Sequence, residues 1–394
     1  MGRTKRVSTL LVTAALVLAP VSVAGAAPSG AAGEEQLVDL VARTAKARVA
    51  DDPRLASTPW TDTKVTMSRS KANRWVFGSV VLVAPKTEGS EPRDWLFVAE
   101  RQDGRWKVGL DGQAAFAELS AASPVLSAEE KSVFAGHGGQ PSTSVPGDYR
   151  TGMRLPWALN QSWSILGGPH AFDAGTGPWS SLDLAGGDQR VLAARDGLAY
   201  TLCTGLIRVM HPDGYASRYY HLWNHLQVDG RSVAAGTFLG DTGTETGCGG
   251  AARARHVHFS LMHNGAFIGI ASHIIGKWVF RNGSAQYGGS ALHGSTSVAV
   301  GGSITNYGVL GRTQGLVDAN GDNAINRRSG PGTGHPVVGT VSDGATVDIR
   351  CSAHGTTHTG RWGSTSLWNR LADGTWVSDA FVYTGVDGMV NGAC

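Results

Sequence analysis

No histidine occurs before His137, although the chain holds 13, and after residue 150 there is one glutamate, Glu245, and one lysine, Lys277. These gaps already exclude some chemistry. A helical His-Glu-x-x-His zinc motif is absent, so a metal-dependent hydrolase built on this sequence is expected to draw its general base from histidine rather than glutamate. The first 136 residues contain neither histidine nor cysteine, and so lack the commonest metal ligands. Charge is sparse too: charged residues make up 16% and the net charge is +3, which leaves no large basic face for nucleic acid. The four cysteines form no close C-x-x-C pair, which argues against a cysteine zinc site. Beyond the first residues no uninterrupted apolar run reaches the ~18 residues of a membrane span.

What is present is glycine, 55 residues, and tryptophan, 12 residues, a composition suited to short strands, tight turns and aromatic-lined grooves. Arg3, Lys5 and Arg6 precede the apolar run Leu10 to Val23, and Ala24-Gly25-Ala26 offers a small-residue cleavage site. Residues 1–26 therefore read as a signal peptide of a secreted protein, with an uncleaved anchor as the alternative. In an oxidising compartment, four cysteines suggest two disulfides with three possible connectivities. Pairing neighbours gives Cys203–Cys248 and Cys351–Cys394, each inside one candidate domain.

The expected fold is mainly β, preceded by a small α+β N-terminal domain over residues 27–136. There, Leu37, Val38, Leu40 and Val41 predict an amphipathic helix between Glu34 and Val49. Arg74 to Pro85 and Arg93 to Leu110 read as strands, with Asp103-Gly104 as a turn. This domain carries no catalytic-looking cluster and stands where a pro-domain would. Residues 137–152 read as a linker and a processing site, 153–282 as an all-β domain, 283–308 as a Gly/Ser-rich linker or exposed loop, and 309–394 as a second β domain.

The central domain holds the chemistry. In Arg255-His256-Val257-His258-Phe259-Ser260, alternating polarity reads as a strand, so His256 and His258 point to one face. Two imidazoles on one strand fill an apolar core poorly, but one can hold a metal while the other works on substrate. His170, Asp183 and His221, the last closing Arg218-Tyr219-Tyr220-His221, complete a candidate set, with Asp173 as a nearer rival to Asp183. Leu182 and Leu184 flank Asp183 as in a strand, whereas Asp173 sits in a Gly/Pro-containing loop. His211, His225, His263, His273 and His293 are expected to be surface or hydrogen-bonded residues, and Tyr219 and Tyr220 to pack on alternate sides of a sheet.

Ser-Ser-Leu-Asp at 180–183, Val-Met-His-Pro-Asp-Gly-Tyr-Ala-Ser-Arg-Tyr-Tyr-His at 209–221, His-Val-His-Phe-Ser-Leu at 256–261 and Asn-Gly-Ala-Phe at 264–267 resemble the lysostaphin-type M23 zinc peptidases, particularly the β-lytic branch. The resemblance spans about residues 153–280 and implies an antiparallel β-sheet peptidase domain. It further implies one zinc ion held by His170, Asp183 and His258, with His221 and His256 as the catalytic pair. Cys203 and Cys248 fall where that branch has a disulfide.

Asn326-Arg327-Arg328-Ser329-Gly330-Pro331-Gly332-Thr333 and Gly374 to Val382 resemble bacterial SH3-type (SH3b) barrels, which commonly recognise cell-wall peptide. Trp362, Trp368, Trp376 and Tyr383 could line a groove there, although burial in the core of so small a barrel is the better expectation for each tryptophan. A Cys351–Cys394 bond would staple the tail. The resemblances together imply a secreted, monomeric zinc endopeptidase acting on bacterial peptidoglycan, in glycine-containing cross-bridges or stem peptides, with no nucleic-acid or membrane partner. The alternatives are a catalytically silent cell-wall binder and a secreted protease acting on Gly-rich proteins.

Overall fold

The computed structural model describes residues 29–52, 55–56, 58–139, 147–171 and 177–394. The signal-peptide reading of residues 1–26, the stretch 140–146 of the first expected linker, and Asp173 lie outside the described residues.

The helix expected near the N-terminus runs Ser29–Ala50 (α1). Leu37, Val41, Ala45 and Val49, four apart, are buried as one stripe. The accompanying antiparallel sheet has strands Asp62–Lys71 (β1), Trp75–Val83 (β2), Arg93–Gln102 (β3) and Arg105–Leu110 (β4) in chain order. Asp103 and Gly104 take φ of 48° and 78°, as the tight turn between β3 and β4 requires. Two further helices follow, Ala114–Ala122 (α2) and Ala128–Ala135 (α3). A capping box opens α3: Ser127 Oγ accepts from Glu130 N–H at 3.1 Å, and the Glu130 carboxylate accepts from Ser127 N–H at 2.8 Å.

Strand β2 does not alternate. Trp75 to Leu82 are all buried, the pattern of a strand covered on both faces. The cover is shared between α1, Phe134 of α3 and the next domain. Phe77 lies 6.0 Å from Phe134 and 5.8 Å from Tyr200, ring centre to ring centre, and Leu206, Met210, Tyr220 and Met262 join the same core.

The central sheet contains Ser162–His170 (β5), Ser181–Gly186 (β6), Gly197–Cys203 (β7), Leu206–Met210 (β8), Tyr215–Trp223 (β9), Phe238–Glu245 (β10) and Val257–His263 (β11). Its spatial order is Asp229–Val233, β7, β8, β9, β11, β6, β5, Ser303–Thr305, with β10 paired to β9 off this path. Tyr219 and Tyr220 pack on opposite sides, the former in the domain's own core and the latter under the N-terminal domain. Along these strands, one set of side chains builds a private core and the other faces the N-terminal domain.

The Gly/Ser-rich stretch expected as a linker or exposed loop instead carries three short strands. Gly289–His293 and Thr296–Ala299 extend a five-stranded sheet with Trp278–Asn282, Ile274–Ile275 and Arg150–Met153, and Ser303–Thr305 pairs with β5. Small residues weaken strand propensity, but Ala291, Leu292 and Ile304 are buried and anchor the segments. At the first expected linker, His137 is fully buried and residues 150–153 are strand, so its described ends belong to the fold.

Residues after 309 form a seven-stranded antiparallel sheet around the long strand Thr346–Gly360. Trp368 and Trp376 are buried, while Trp362 is half-buried and lies 4.2 Å from Tyr383. Both neighbour-paired disulfides are present, Cys203–Cys248 and Cys351–Cys394, with Cα separations of 6.1 and 5.1 Å. No helix among the described residues is long and apolar enough to cross a membrane.

Candidate metal centre

Sheet register assembles the site. On β11, His258 lies opposite Asp183 of β6 on one side and Tyr220 of β9 on the other, so all three share a face. His170 ends β5, opposite Ser181 of β6. His170 Nε2 lies 3.3 Å from His258 Nδ1 and 3.7 Å from Asp183 Oδ1, and His258 Nδ1 lies 3.0 Å from Asp183 Oδ1. Zinc–ligand bonds near 2.0–2.1 Å in a tetrahedron put ligand atoms about 3.3 Å apart. The triad therefore has the dimensions and the donor chemistry to hold such an ion.

Neighbouring groups fix the ring orientations. His170 Nδ1 donates to Gly168 O at 2.8 Å, which leaves Nε2 as the ligand atom. Burial pushes the His170 imidazole down to about 4, so it stays neutral, as a ligand must. Burial opposes ionisation of Asp183, but hydrogen bonds from His256 and His258 and the nearby His170 outweigh it and hold the carboxyl well below its usual range.

The other two histidines flank the triad. His221 Nδ1 donates to Glu245 O at 2.9 Å and His256 Nδ1 to Ala254 O at 2.8 Å, so each ring turns its Nε2 toward the cavity, against Glu91 and Asp183 respectively. His256 Nε2 lies 3.4 Å from Asp183 Oδ1, and the His221 and His256 ring centres are 4.8 Å apart. His221 takes φ of +66° where pairing between β9 and β10 slips, an uncommon conformation for a non-glycine residue. All five candidate residues thus meet around one cavity of about 210 Å³, or stack against its walls. His211, by contrast, is buried away from it, hydrogen-bonded to Asp196 O at 2.7 Å and Ser217 Oγ at 3.0 Å.

Two residues at this cavity escaped sequence reasoning. Tyr287, in the Gly/Ser-rich stretch, stacks on His170 with ring centres 4.1 Å apart. Glu91, between β2 and β3 of the N-terminal domain, is 8% exposed; its Oε1 lies 3.6 Å from His221 Nε2 and 3.9 Å from His258 Nδ1. Burial resists its ionisation, yet His258, His221 and Arg218 hold it down to about 2, so a carboxylate sits against the triad. An aromatic in a Gly/Ser-rich run was the available signal for Tyr287. Nothing local marks Glu91.

Residues 177–269 match the family model of Peptidase family M23, a span that includes Asp183, His221, His256 and His258 but stops short of His170. This segment is a peptidase family M23 domain. Protease LasA of Pseudomonas aeruginosa is 33% identical to the chain over 147 residues, 34% of this chain and 35% of that protein. The β-lytic metalloendopeptidase of Lysobacter enzymogenes is 29% identical over 126 residues, 29% of this chain and 71% of that one. Among solved structures, the deep-sea M23 metalloprotease pseudoalterin is 27% identical, covering 39% of this chain and 97% of that chain at a TM-score of 0.37. The aligned region thus spans about a third of LasA, and the M23 domain is one part of a longer chain here as well.

Proposed function

We propose that this chain is the latent form of a secreted zinc metalloendopeptidase that cleaves peptide bonds in bacterial peptidoglycan, at glycine-containing cross-bridges or stem peptides. The observation that carries the reading is the triad His170, Asp183 and His258, with ligand atoms 3.0–3.7 Å apart, beside two histidines whose Nδ1 atoms are tied to backbone carbonyls and whose Nε2 atoms face the cavity. A bound zinc ion supplies Lewis acidity toward the scissile carbonyl and lowers the pKa of water to about 7. The histidines manage the proton: His221 and His256, each anchored through Nδ1 to a backbone carbonyl, accept it at Nε2 from attacking water and return it to the departing amine. A glycine-rich substrate suits the narrow cavity, because it presents little side chain to exclude.

The N-terminal domain is read as the cover that keeps the enzyme latent, with Glu91 occupying the place of an incoming carboxylate or water. Export is supported by the basic and apolar pattern of residues 1–26. The C-terminal sheet is read as an SH3b barrel that targets the wall; its Trp362 and Tyr383 line a cavity of about 660 Å³ at the junction with the peptidase domain.

The test is wall lysis by the full chain after digestion within 140–146 has proceeded until the N-terminal domain is degraded. Wild type is run beside His256→Ala, and a chelated sample beside one restored with zinc. New amine termini at cross-bridge or stem-peptide positions, lost in the variant and recovered with zinc, are expected. Metal-loaded protein that binds wall without releasing new termini would show a wall binder instead. Equal turnover on soluble Gly-rich protein would move the substrate away from the wall.

A further inference from the structure

Arg208 of β8 and Arg218 of β9 lie directly opposite each other in the antiparallel pair, so both guanidinium groups leave the same face of the sheet. That face also carries Tyr220 and His258, hence the candidate metal centre. Both arginines are 0% exposed. Among the described residues every ion-pair partner they have comes from the N-terminal domain. Arg208 meets Asp94 at 3.2 Å and Asp111 at 3.0 Å; Arg218 meets Asp94 at 2.9 Å and Glu91 at 3.5 Å.

Two features distinguish this cluster from a permanent structural bridge. Like charges directly opposite in a sheet repel, and the peptidase domain supplies no carboxylate of its own to either group. Once the N-terminal domain leaves, a guanidinium pair remains uncompensated on the floor of the uncovered face. The fit is also incomplete. Arg208 Nη1 reaches Asp94 O and Oδ1 at 3.2 Å each and its Nη2 lies 3.0 Å from Asp111 Oδ1, so two carboxylates share the group while its buried Nε finds no hydrogen-bond partner. A guanidinium fork is matched best by a bidentate carboxylate, and the covering domain does not give Arg208 one.

The spacing ties the pair to the chemistry. Arg218 is two residues from Tyr220, which pairs with His258, so it stands about 7 Å along the sheet from the triad. One carboxylate already bridges that distance: Glu91 places Oε1 against His221 and His258, and Oε2 against Arg218 Nη1. We propose that Arg208 and Arg218 form a carboxylate-recognising subsite of the peptidase, filled in this chain by Asp94, Asp111 and Glu91 and opened to a peptide carboxylate when the N-terminal domain departs. The inference rests on the latent-peptidase reading, and it makes the covering domain a mimic of an acidic peptide substrate as well as a steric block. The recognised group lies within one to three residues of the scissile bond, given about 3.3 Å per extended residue.

The test uses the full chain cut once within 140–146, both parts kept together. The probes are glycine peptides carrying one glutamate at one, two or three residues from the centre, each beside its glutamine twin. In metal-free samples, displacement of the N-terminal part is followed by gel filtration. A glutamate peptide at one position is expected to displace it at a concentration at least 10-fold below its twin. That ratio should shrink with Arg218→Lys, which keeps the charge but loses the fork, and vanish with Arg208→Gln/Arg218→Gln. The same proteins, digested further until the N-terminal part is degraded and then loaded with zinc, report hydrolysis, where kcat/KM should favour the same glutamate peptide 10- to 100-fold. Twins of equal potency in displacement and hydrolysis would overturn the subsite while leaving the peptidase standing. Discrimination in displacement with no hydrolysis would keep the subsite and overturn the peptidase.

Discussion

Gly167 shows how tightly the candidate metal centre is held at the scale of single residues. A Cβ there would lie 2.7 Å from Asp183 Oδ2 and 3.0 Å from Tyr287 Cδ1. Asp183 is fixed by strand pairing on both sides and cannot retreat. Gly167→Ala is therefore expected to lower metal affinity about 10- to 100-fold, the range seen when groups supporting a ligand are disturbed. Competition against a chromophoric chelator measures it, and unchanged affinity in a folded variant would remove Asp183 from the ligand set. That the five histidine and aspartate positions gather at one place was legible in the sequence, because alternation along a strand is local and the motif phrases are contiguous. Glu91 and Tyr287 were not, because each reaches the site from a distant part of the chain, and only tertiary packing makes either significant.

Among the elements, α1 was legible from its apolar spacing, as were β2 and the β3–β4 hairpin with its Asp-Gly turn. The two short helices α2 and α3 were missed, although Ser127-x-x-Glu130 carried a capping-box signal. The Gly/Ser-rich strands were misread because composition alone indicates turns, and their strand state comes from pairing partners far away in sequence. The segment after α3 has an electrostatic consequence. His137 is buried, and its Nε2 donates to His211 O at 2.7 Å, tying the segment after α3 to the turn that follows β8. Burial pushes His137 down to about 4, offset in part by that bond and by Asp111, while Arg208 and His263 add to the lowering. The fold tolerates only neutral imidazole, whose ordinary pKa is about 6.5. Its contribution is complete above that value and is lost as pH falls toward 4, by up to about 1.4 kcal/mol per pH unit. The urea midpoint of the full chain should fall between pH 7.5 and 5, and should fall less in His137→Gln. Identical pH dependence in the two proteins would rule this residue out as a source.

Across the whole molecule, the N-terminal domain is less separable than the sequence suggested. A linker and a composition shift predicted an independent unit, but β2 is buried on both faces and shares one core with Tyr200, Met210, Tyr220 and Met262. Glu130 strengthens the junction, accepting from Arg69 at 2.7 Å and from Tyr200 Oη at 2.9 Å. A single cut within 140–146 is therefore expected to leave the two parts co-eluting on gel filtration at 0.15 M salt, with activity appearing only on further digestion; prompt separation would show a weak junction. At the opposite flank, the strand that ends in His170 lies between β6 and Ser303–Thr305, well beyond the last residue of the family match. Anyone producing a shortened enzyme that stops near residue 282 would strip that outer neighbour away. The bared row of amide and carbonyl groups would then template strand addition between molecules, and solubility of the recombinant fragment, rather than loss of catalysis, would be the first casualty.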